Sequence, residues 1–413
     1  MTEIALNTRL KSQVWIRRLR KTGLDPWLLL TVGIMLAYGL VMVYSASWDV
    51  SYRLTEDPNA LFQRQVVNLI VGLGAMLIGA RIPLRWLRKL ALPVIGLAIG
   101  SLLIVLLVQV GAGPRRAFLG GSYQPSELAK LAMIIYLAVW MESKGDKVTD
   151  WEYGFLPLMV IIGLVSGLIL LQPDLSAVLT VAIVSVTMFY MAGARFIQSV
   201  AVTAGGGAMA FLLVRVTTTG RTRWNDYITG LVDIEKASYH VQHALQAFTA
   251  GGLLGRGLGA SREKFGLLPA PHTDSIFAVI GEELGLVGAL LVVALFVFFM
   301  WRGFRISMEA RDRLGMLLAG GITFWVGIEA MVNMSVLLGL LPFAGNALPF
   351  FSYGGSSLVT TLAAVGLLLN VSRRETPEVQ DIRGHIATVG IGWRHRRRSV
   401  SRLGRHRRPR REG

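Results

Sequence analysis

No cysteine occurs among the 413 residues, which excludes disulfides, thiolate catalysis and cysteine-ligated metal sites. Charge is scarce as well. Asp, Glu, Lys and Arg make up 16% of the chain and hydrophobic residues 53%, against about 25% and about 45–50% in soluble domains. Acids are the rarer sign, 25 against 42 Lys plus Arg. The apolar residues are gathered into long blocks separated by short polar stretches, the pattern of a polytopic membrane protein. Length alone would permit two or three soluble domains, but that arrangement excludes them.

The net charge of +17 sits mostly at the ends. Residues 1–25 hold six Lys and Arg against Glu3 and Asp25, and residues 372–413 hold thirteen Arg against four acids. Basic ends flanking apolar spans follow from the positive-inside rule and from attraction to anionic lipid, so nucleic-acid binding is not needed to explain them. The stretch after Trp393 is Arg-rich, low in complexity and without apolar periodicity. It is expected to be disordered.

Crossing the hydrocarbon core takes about 20 mostly apolar residues. Ten such runs lie near 27–47, 62–80, 91–110, 127–142, 153–171, 174–193, 197–215, 275–300, 314–337 and 355–371. The expected fold is an all-α polytopic membrane protein with ten transmembrane helices over 27–371, between a basic segment 1–26 and an Arg-rich tail 372–413. An even count puts both termini on one side, and that side carries 30 Lys and Arg against 11 on the other. Both termini are therefore expected to be cytoplasmic. The first run follows a basic stretch, lacks a small-residue cleavage site and is long enough to span, unlike a cleavable signal peptide. Between the seventh and eighth runs, residues 216–274 form an outer connection far longer than most, rich in aromatics, charges and glycines.

Ionisable residues inside spans are functional candidates by default. Glu127 and Lys130 are spaced i,i+3 and share a helix face; they read either as an inert buried ion pair or as a cation held near a bound phosphate. Asp174 follows Pro173 at the outer start of the sixth helix, where capping alone would explain it. The most informative run is Leu268 to Gly285. Its two prolines suggest an extended approach, after which His272, Thr273 and Asp274 sit where the eighth helix enters the membrane. Asp274 suits an N-cap, a metal ligand or a general base. At 1.5 Å per residue Glu282 would lie roughly 12 Å deeper, and Glu282 and Glu283, about 100° apart around the helix, would not face one site equally.

A second outer run, Leu348 to Ser357, offers Ser352, Gly354, Gly355, Ser356 and Ser357 as an anion-binding nest before the tenth helix, or else as a tightly packed corner. Gly255-Arg256-Gly257-Leu258-Gly259 resembles part of a dinucleotide fingerprint, but no strand precedes it, so no nucleotide is expected. His240, His243 and His272 make only a weak metal-site pattern.

Taken together, these motifs resemble the SEDS family (shape, elongation, division and sporulation), the FtsW/RodA type of peptidoglycan glycosyltransferase. The likeness runs from Trp27 to Arg374 and rests on separated motifs in order: Met42 to Ser47, Gln124 to Lys130, Gln172-Pro173-Asp174, the His272 to Gly285 run and Leu348 to Ser357. The resemblance implies a ten-helix enzyme that polymerises lipid II outside the cytoplasmic membrane and releases undecaprenyl diphosphate. It implies Asp274 as the essential acid, Glu127 and Lys130 near a central cavity, and Arg223, sixteen residues before Tyr239, as the matching loop arginine. It also implies a class B penicillin-binding protein as transpeptidase partner, with other divisome or elongasome proteins around it.

Departures from the family pattern fall in the long loop, where Tyr239-His240-Val241-Gln242-His243-Ala244 replaces the usual Tyr-Gln-x-x-Gln-Ser, and at Ser275, Ala117 and Ser176. Gly257 to Lys264 looks like the Gly-Leu-Gly-x-Ser-x-x-Lys stretch of the division-type branch.

The chemistry gives these residues roles. A sugar hydroxyl needs a carboxylate base in reach, for which Asp274 is the candidate. The leaving diphosphate calls for cations, Lys130, Arg223 and Arg116 in that order, and for a divalent ion, Mg2+ or Mn2+. Direct displacement would invert the anomeric carbon. Two other readings stay open: a transporter of lipid-linked precursor, and a non-catalytic scaffold for a partner.

Overall fold

In a bilayer every backbone N–H and C=O must find a partner within the protein, which leaves helices as the natural form for such apolar runs. The computed structural model describes residues 23–108 and 124–373. Twelve α-helices follow one another among these residues: α1 (Pro26–Thr55), α2 (Ala60–Arg81), α3 (Leu84–Val108), α4 (Pro125–Lys144), α5 (Leu156–Leu170), α6 (Leu175–Met191), α7 (Phe196–Val216), α8 (Thr218–Val232), α9 (Tyr239–Gly251), α10 (Ile276–Met308), α11 (Arg313–Leu337) and α12 (Gly355–Val371).

A helix occupies each of the ten apolar runs, while α8 and α9 lie inside the long connection. Six stretches, 26–55, 60–81, 84–107, 151–170, 276–308 and 313–337, are long and apolar enough to cross a membrane, and α6 and α12 are shorter apolar helices. Helix starts carry the expected chemistry. Asp174, Thr217 and Asp312 cap α6, α8 and α11 through their side chains, and Pro125 opens α4 at a position where the missing N–H costs nothing. The basic ends and Arg116 lie outside the described residues, apart from the few flanking α1 and α12.

Residues Trp27–Ser372 form one compact unit with α11 at its centre. The apolar window of α11 is 72% buried, against 17–39% for the other five candidate spans, as befits a helix surrounded by others. Helices α2 and α12 meet closely. A Cβ at Gly366 would lie 2.2 Å from the Met76 carbonyl oxygen, the small-residue contact that lets membrane helices approach.

Helix α10 is not continuous. Gly285 has φ 65 and ψ −164, and this single residue uncouples the two halves. The break would orphan the carbonyls of Glu282 and Glu283 and the amides of Leu286 and Val287. The loop after α9 replaces all four bonds: Arg256 N and Gly257 N donate to the carbonyls of Glu282 and Glu283 (3.0 and 2.9 Å), and Leu286 N and Val287 N donate to Gly252 and Leu253 (2.9 and 3.2 Å). Before the break, residues 276–283 are all buried; beyond it, Leu286, Val287, Leu290 and Leu291 are exposed.

The two glutamates precede the break, in the buried part of the helix. Both face the one loop that closes over the break. Glu282 accepts from Ser261 Oγ (2.5 Å), Arg262 N (2.9 Å), Glu263 N (3.3 Å) and Arg256 (3.1 Å). Glu283 pairs with Lys264 (2.7 Å) and accepts from Ser45 Oγ of α1 (2.7 Å).

A Cβ at Gly285 would fall 2.4 Å from Gly255 N, and one at Gly255 2.2 Å from the Glu283 carbonyl oxygen. Either Gly→Ala change is expected to destabilise the protein by about 2 kcal/mol or more, from left-handed strain plus overlap. Gly163→Ala in α5, where nothing lies within 4 Å, should be neutral or slightly stabilising. Thermal unfolding in detergent distinguishes the three, and equal midpoints would show that the break tolerates a side chain.

Candidate functional site

Asp274 stands half-buried just before α10. Its approach is coiled, not extended: the amides of Thr273 and Ser275 both donate to the Ala270 carbonyl, Thr273 Oγ1 donates to the same oxygen, and Ser275 Oγ donates to Pro269. The prolines start a compact turn because the hydroxyls beyond them close back onto it. The Leu348–Ser357 segment then clamps this turn. Tyr353 N donates to the His272 carbonyl (2.7 Å) and Ser352 Oγ to the Thr273 carbonyl (2.7 Å).

From α11, Asn333 Nδ2 donates to the backbone oxygens of Asp274 (2.9 Å) and Asn346, and Asn346 Nδ2 donates to the Glu329 carbonyl (3.2 Å). A Cβ at Gly345 would lie 3.4 Å from Asp274 Oδ2, so the carboxylate rests beside the Gly345–Asn346 bend. The segment 348–357 thus spends its polar atoms on packing. Ser352 Oγ also accepts from Leu348 N, Gln65 bridges Ser352 O and Gly354 N, and Ser356 Oγ accepts from Gln124 N. Gly354 precedes α12 as its cap, with Gly355, Ser356 and Ser357 in the first turn.

Asp174 joins two motifs. It caps Ala177 N (3.3 Å) and accepts from Ser176 Oγ (2.9 Å), Gln124 Nε2 (2.7 Å) and Ser126 Oγ (3.0 Å). Four donors on one carboxylate pin the start of α6 to the start of α4. Below this clip, Lys130 is enclosed: its ammonium donates to Glu127 (2.9 Å) and to Glu329 of α11, and lies 5.5 Å from the Trp325 ring centre. The lysine side chain is 3% exposed.

A cavity of about 300 Å³ opens between α6, α8, α11 and the 341–346 segment. Its walls are apolar, with Leu179, Ile183, Val332 and Phe343 among them, and its polar groups include Arg223, Ser176, Thr180 and Asn346. Lys130 is not among the lining residues. The cation at the cavity is Arg223, whose guanidinium lies 5.6 Å from the Phe343 ring centre. His240 stacks on the same ring at 4.0 Å, and burial together with Arg223 lowers its pKa to about 4. Burial alone takes His272 to about 4. His243 turns instead to Glu263 (2.9 Å). Among the described residues no three His, Cys, Asp or Glu gather as a metal site.

Sequence reasoning missed Glu329, Asn333 and Gln65. Their signal was present, since each is a polar residue inside an apolar run, and Glu329 and Asn333 share a face at i,i+4.

Comparison with known proteins places the chain in a family. The FtsW/RodA/SpoVE profile, described as "Cell cycle protein", matches residues 26–377. The chain belongs to this family. It is 39% identical over 358 residues to a probable peptidoglycan glycosyltransferase FtsW of Geobacter metallireducens, covering 85% of this chain and 95% of the relative. With stage V sporulation protein E of Bacillus subtilis it shares 37% over 359 residues, covering 86% and 98%. Among solved structures, a chain from a peptidoglycan synthase complex that coordinates polymerization and crosslinking superposes with a TM-score of 0.68 at 28% identity, covering 86% of this chain and 99% of that one. Thermus thermophilus RodA gives 0.63 at 29%, covering 86% and 98%.

Two outcomes are expected of this FtsW/RodA/SpoVE-family protein. Lys130→Met leaves two buried carboxylates facing each other and should cost about 3–5 kcal/mol, whereas Glu329→Gln keeps Glu127–Lys130 and should cost clearly less; thermal unfolding in detergent ranks them, and equal losses would remove the central role of the lysine. Because His240 and His272 stay neutral in the folded protein down to about pH 4 while the unfolded chain binds protons from about 6.5, stability should be full above pH 6.5 and fall as the pH drops from 6.5 toward 4. His240→Gln should flatten that fall, and an unchanged pH profile of the melting temperature would argue against it.

Proposed function

We propose that this protein polymerises lipid II into glycan strands outside the cytoplasmic membrane, releasing undecaprenyl diphosphate. The observation that carries the reading is that a half-buried carboxylate, Asp274, stands beside a segment lining an apolar cavity with Arg223 at its wall. A polyprenyl-linked donor needs those three elements: an apolar cradle, a cation for the diphosphate and a base for the acceptor hydroxyl. The printed names of the relatives, peptidoglycan glycosyltransferase among them, support the same chemistry.

In this mechanism Asp274 accepts the proton of the acceptor 4-hydroxyl as its oxygen attacks the anomeric carbon, and the diphosphate leaves from the opposite face with inversion. Arg223 meets the developing negative charge. Lys130, taken from the sequence as the first cation for the diphosphate, is enclosed between Glu127 and Glu329 and instead holds α4 against α11 beneath the cavity. His272 and Thr273 hold Asp274 through the clamp from Ser352 and Tyr353. Asp174 and Ser356 both bond Gln124 and so join the starts of α4, α6 and α12, and with Glu127, Gly354, Gly355 and Ser357 they are the further substrate contacts of this reading. A divalent ion, Mg2+ or Mn2+, would be held by Asp274 together with the diphosphate of the substrate and would supply neutralisation of its charge.

Membrane placement completes the proposal. Ten helices span the bilayer with both termini cytoplasmic, Asp274 faces outward, and the basic tails bind anionic lipid. A class B penicillin-binding protein crosslinks the product in the divisome or elongasome, a partner in keeping with the solved relative from a complex that couples polymerization to crosslinking.

Purified protein with its transpeptidase partner should polymerise lipid II, and folded Asp274→Asn should lose about 10²–10⁴-fold in rate, read as glycan chains on gels with and without divalent ion. Equal polymer from both would remove Asp274 as the base. Lipid flipping without polymer from the wild type would favour the transporter reading.

A further inference from the structure

Helix α8 follows α7 after the single residue Thr217, which is extended at φ −83 and ψ 137. At 100° per residue its side chains sort onto three faces. Arg223, Tyr227 and Gly230 turn toward the protein: Arg223 lines the cavity, Tyr227 Oη donates to the Leu340 carbonyl (3.1 Å), and all three line a small pocket with Val241 of α9. Thr222, Asn225 and Thr229 form a second, polar and exposed face. On the third, Ile228 and Val232 are 44 and 91% exposed, flanked by Trp224 at the rim of the cavity and Leu231 at the rim of the small pocket, 40 and 59% exposed.

That third face has the composition of a membrane interface. A tryptophan leads an apolar stripe, and Arg221, also exposed, stands one turn before it, as basic residues do where a helix lies at headgroup level. The stripe continues an apolar surface of the bundle, because Phe211 and Val216 at the end of α7 are 52 and 73% exposed. Four large apolar side chains on one face of a short helix are too costly to leave in water when lipid is adjacent.

We propose that α8 is an interfacial helix seated on the outer leaflet of the bilayer by Ile228, Val232 and the exposed parts of Trp224 and Leu231, with Arg223 turned to the cavity whose rim Trp224 shares. The occupant of this face is lipid at the headgroup and upper acyl level. The inference rests on the membrane placement of the fold and not on the reaction, and it can fail while the reaction stands.

The absence of cysteine makes the test direct. Single-cysteine variants Ile228→Cys, Thr222→Cys and Leu97→Cys are spin-labelled in nanodiscs of phosphatidylethanolamine and phosphatidylglycerol. Accessibility is then measured to oxygen, which partitions into lipid, and to a water-soluble nickel chelate. Leu97 in α3, 64% exposed, supplies the lipid reference. The label at Ile228 should behave like that at Leu97, with chelate access several-fold below that at Thr222. Chelate access at Ile228 equal to that at Thr222 would place the face in water and overturn the proposal. A label closed to both reagents would overturn it too, by showing a protein on that face.

Discussion

The requirement that no backbone polar group be stranded in an apolar surrounding governs the molecule, and it is met most demandingly at Gly285. A helix that breaks there exposes two carbonyls and two amides, and only a second strand of backbone with the right spacing can take all four. The loop from Gly252 to Gly257 does this, and the carboxylates of Glu282 and Glu283 extend the same service to the amides, hydroxyl and ammonium that follow it. The outer entry to α10, and with it Asp274, is held in place by this substitution of partners.

A related rule governs charge. Buried ions persist where they are paired and hydrogen-bonded, and the buried acids among the described residues, Glu127, Glu329, Asp174, Glu282 and Glu283, each find a lysine, an arginine or several N–H and O–H donors. Lys130 and Lys264 are occupied in this way. Arg223 differs in standing at the wall of an apolar cavity.

The helical architecture was legible because length and hydropathy suffice to locate apolar runs, and the His272–Asp274 turn was legible because polar residues at a membrane boundary stand out. What could not be read were the meetings between distant motifs. Ser45, Lys264 and Glu283 come from three separate runs, as do Gln124, Asp174 and Ser356, and no periodicity relates them. The loop partners of Glu282 and Glu283 could not be read, because they depend on a helix break at Gly285 that hydropathy does not mark. Glu329 and Asn333 were visible as polar residues in a span, yet their importance appears only when α11 is seen to run through the middle of the bundle.

The bonds that shape the site join residues far apart along the chain: Ser45 to Glu283 across 238 positions and Gln65 to Ser352 across 287. A ribosome delivers these partners at opposite ends of synthesis. Until α12 has been inserted, the turn at Asp274 has no Tyr353 or Ser352 to clamp it and Gln65 has no carbonyl to hold. The emerging protein therefore passes through the translocation machinery without an assembled centre, and completion of the last helix is also the moment at which α2 acquires its buried polar partners.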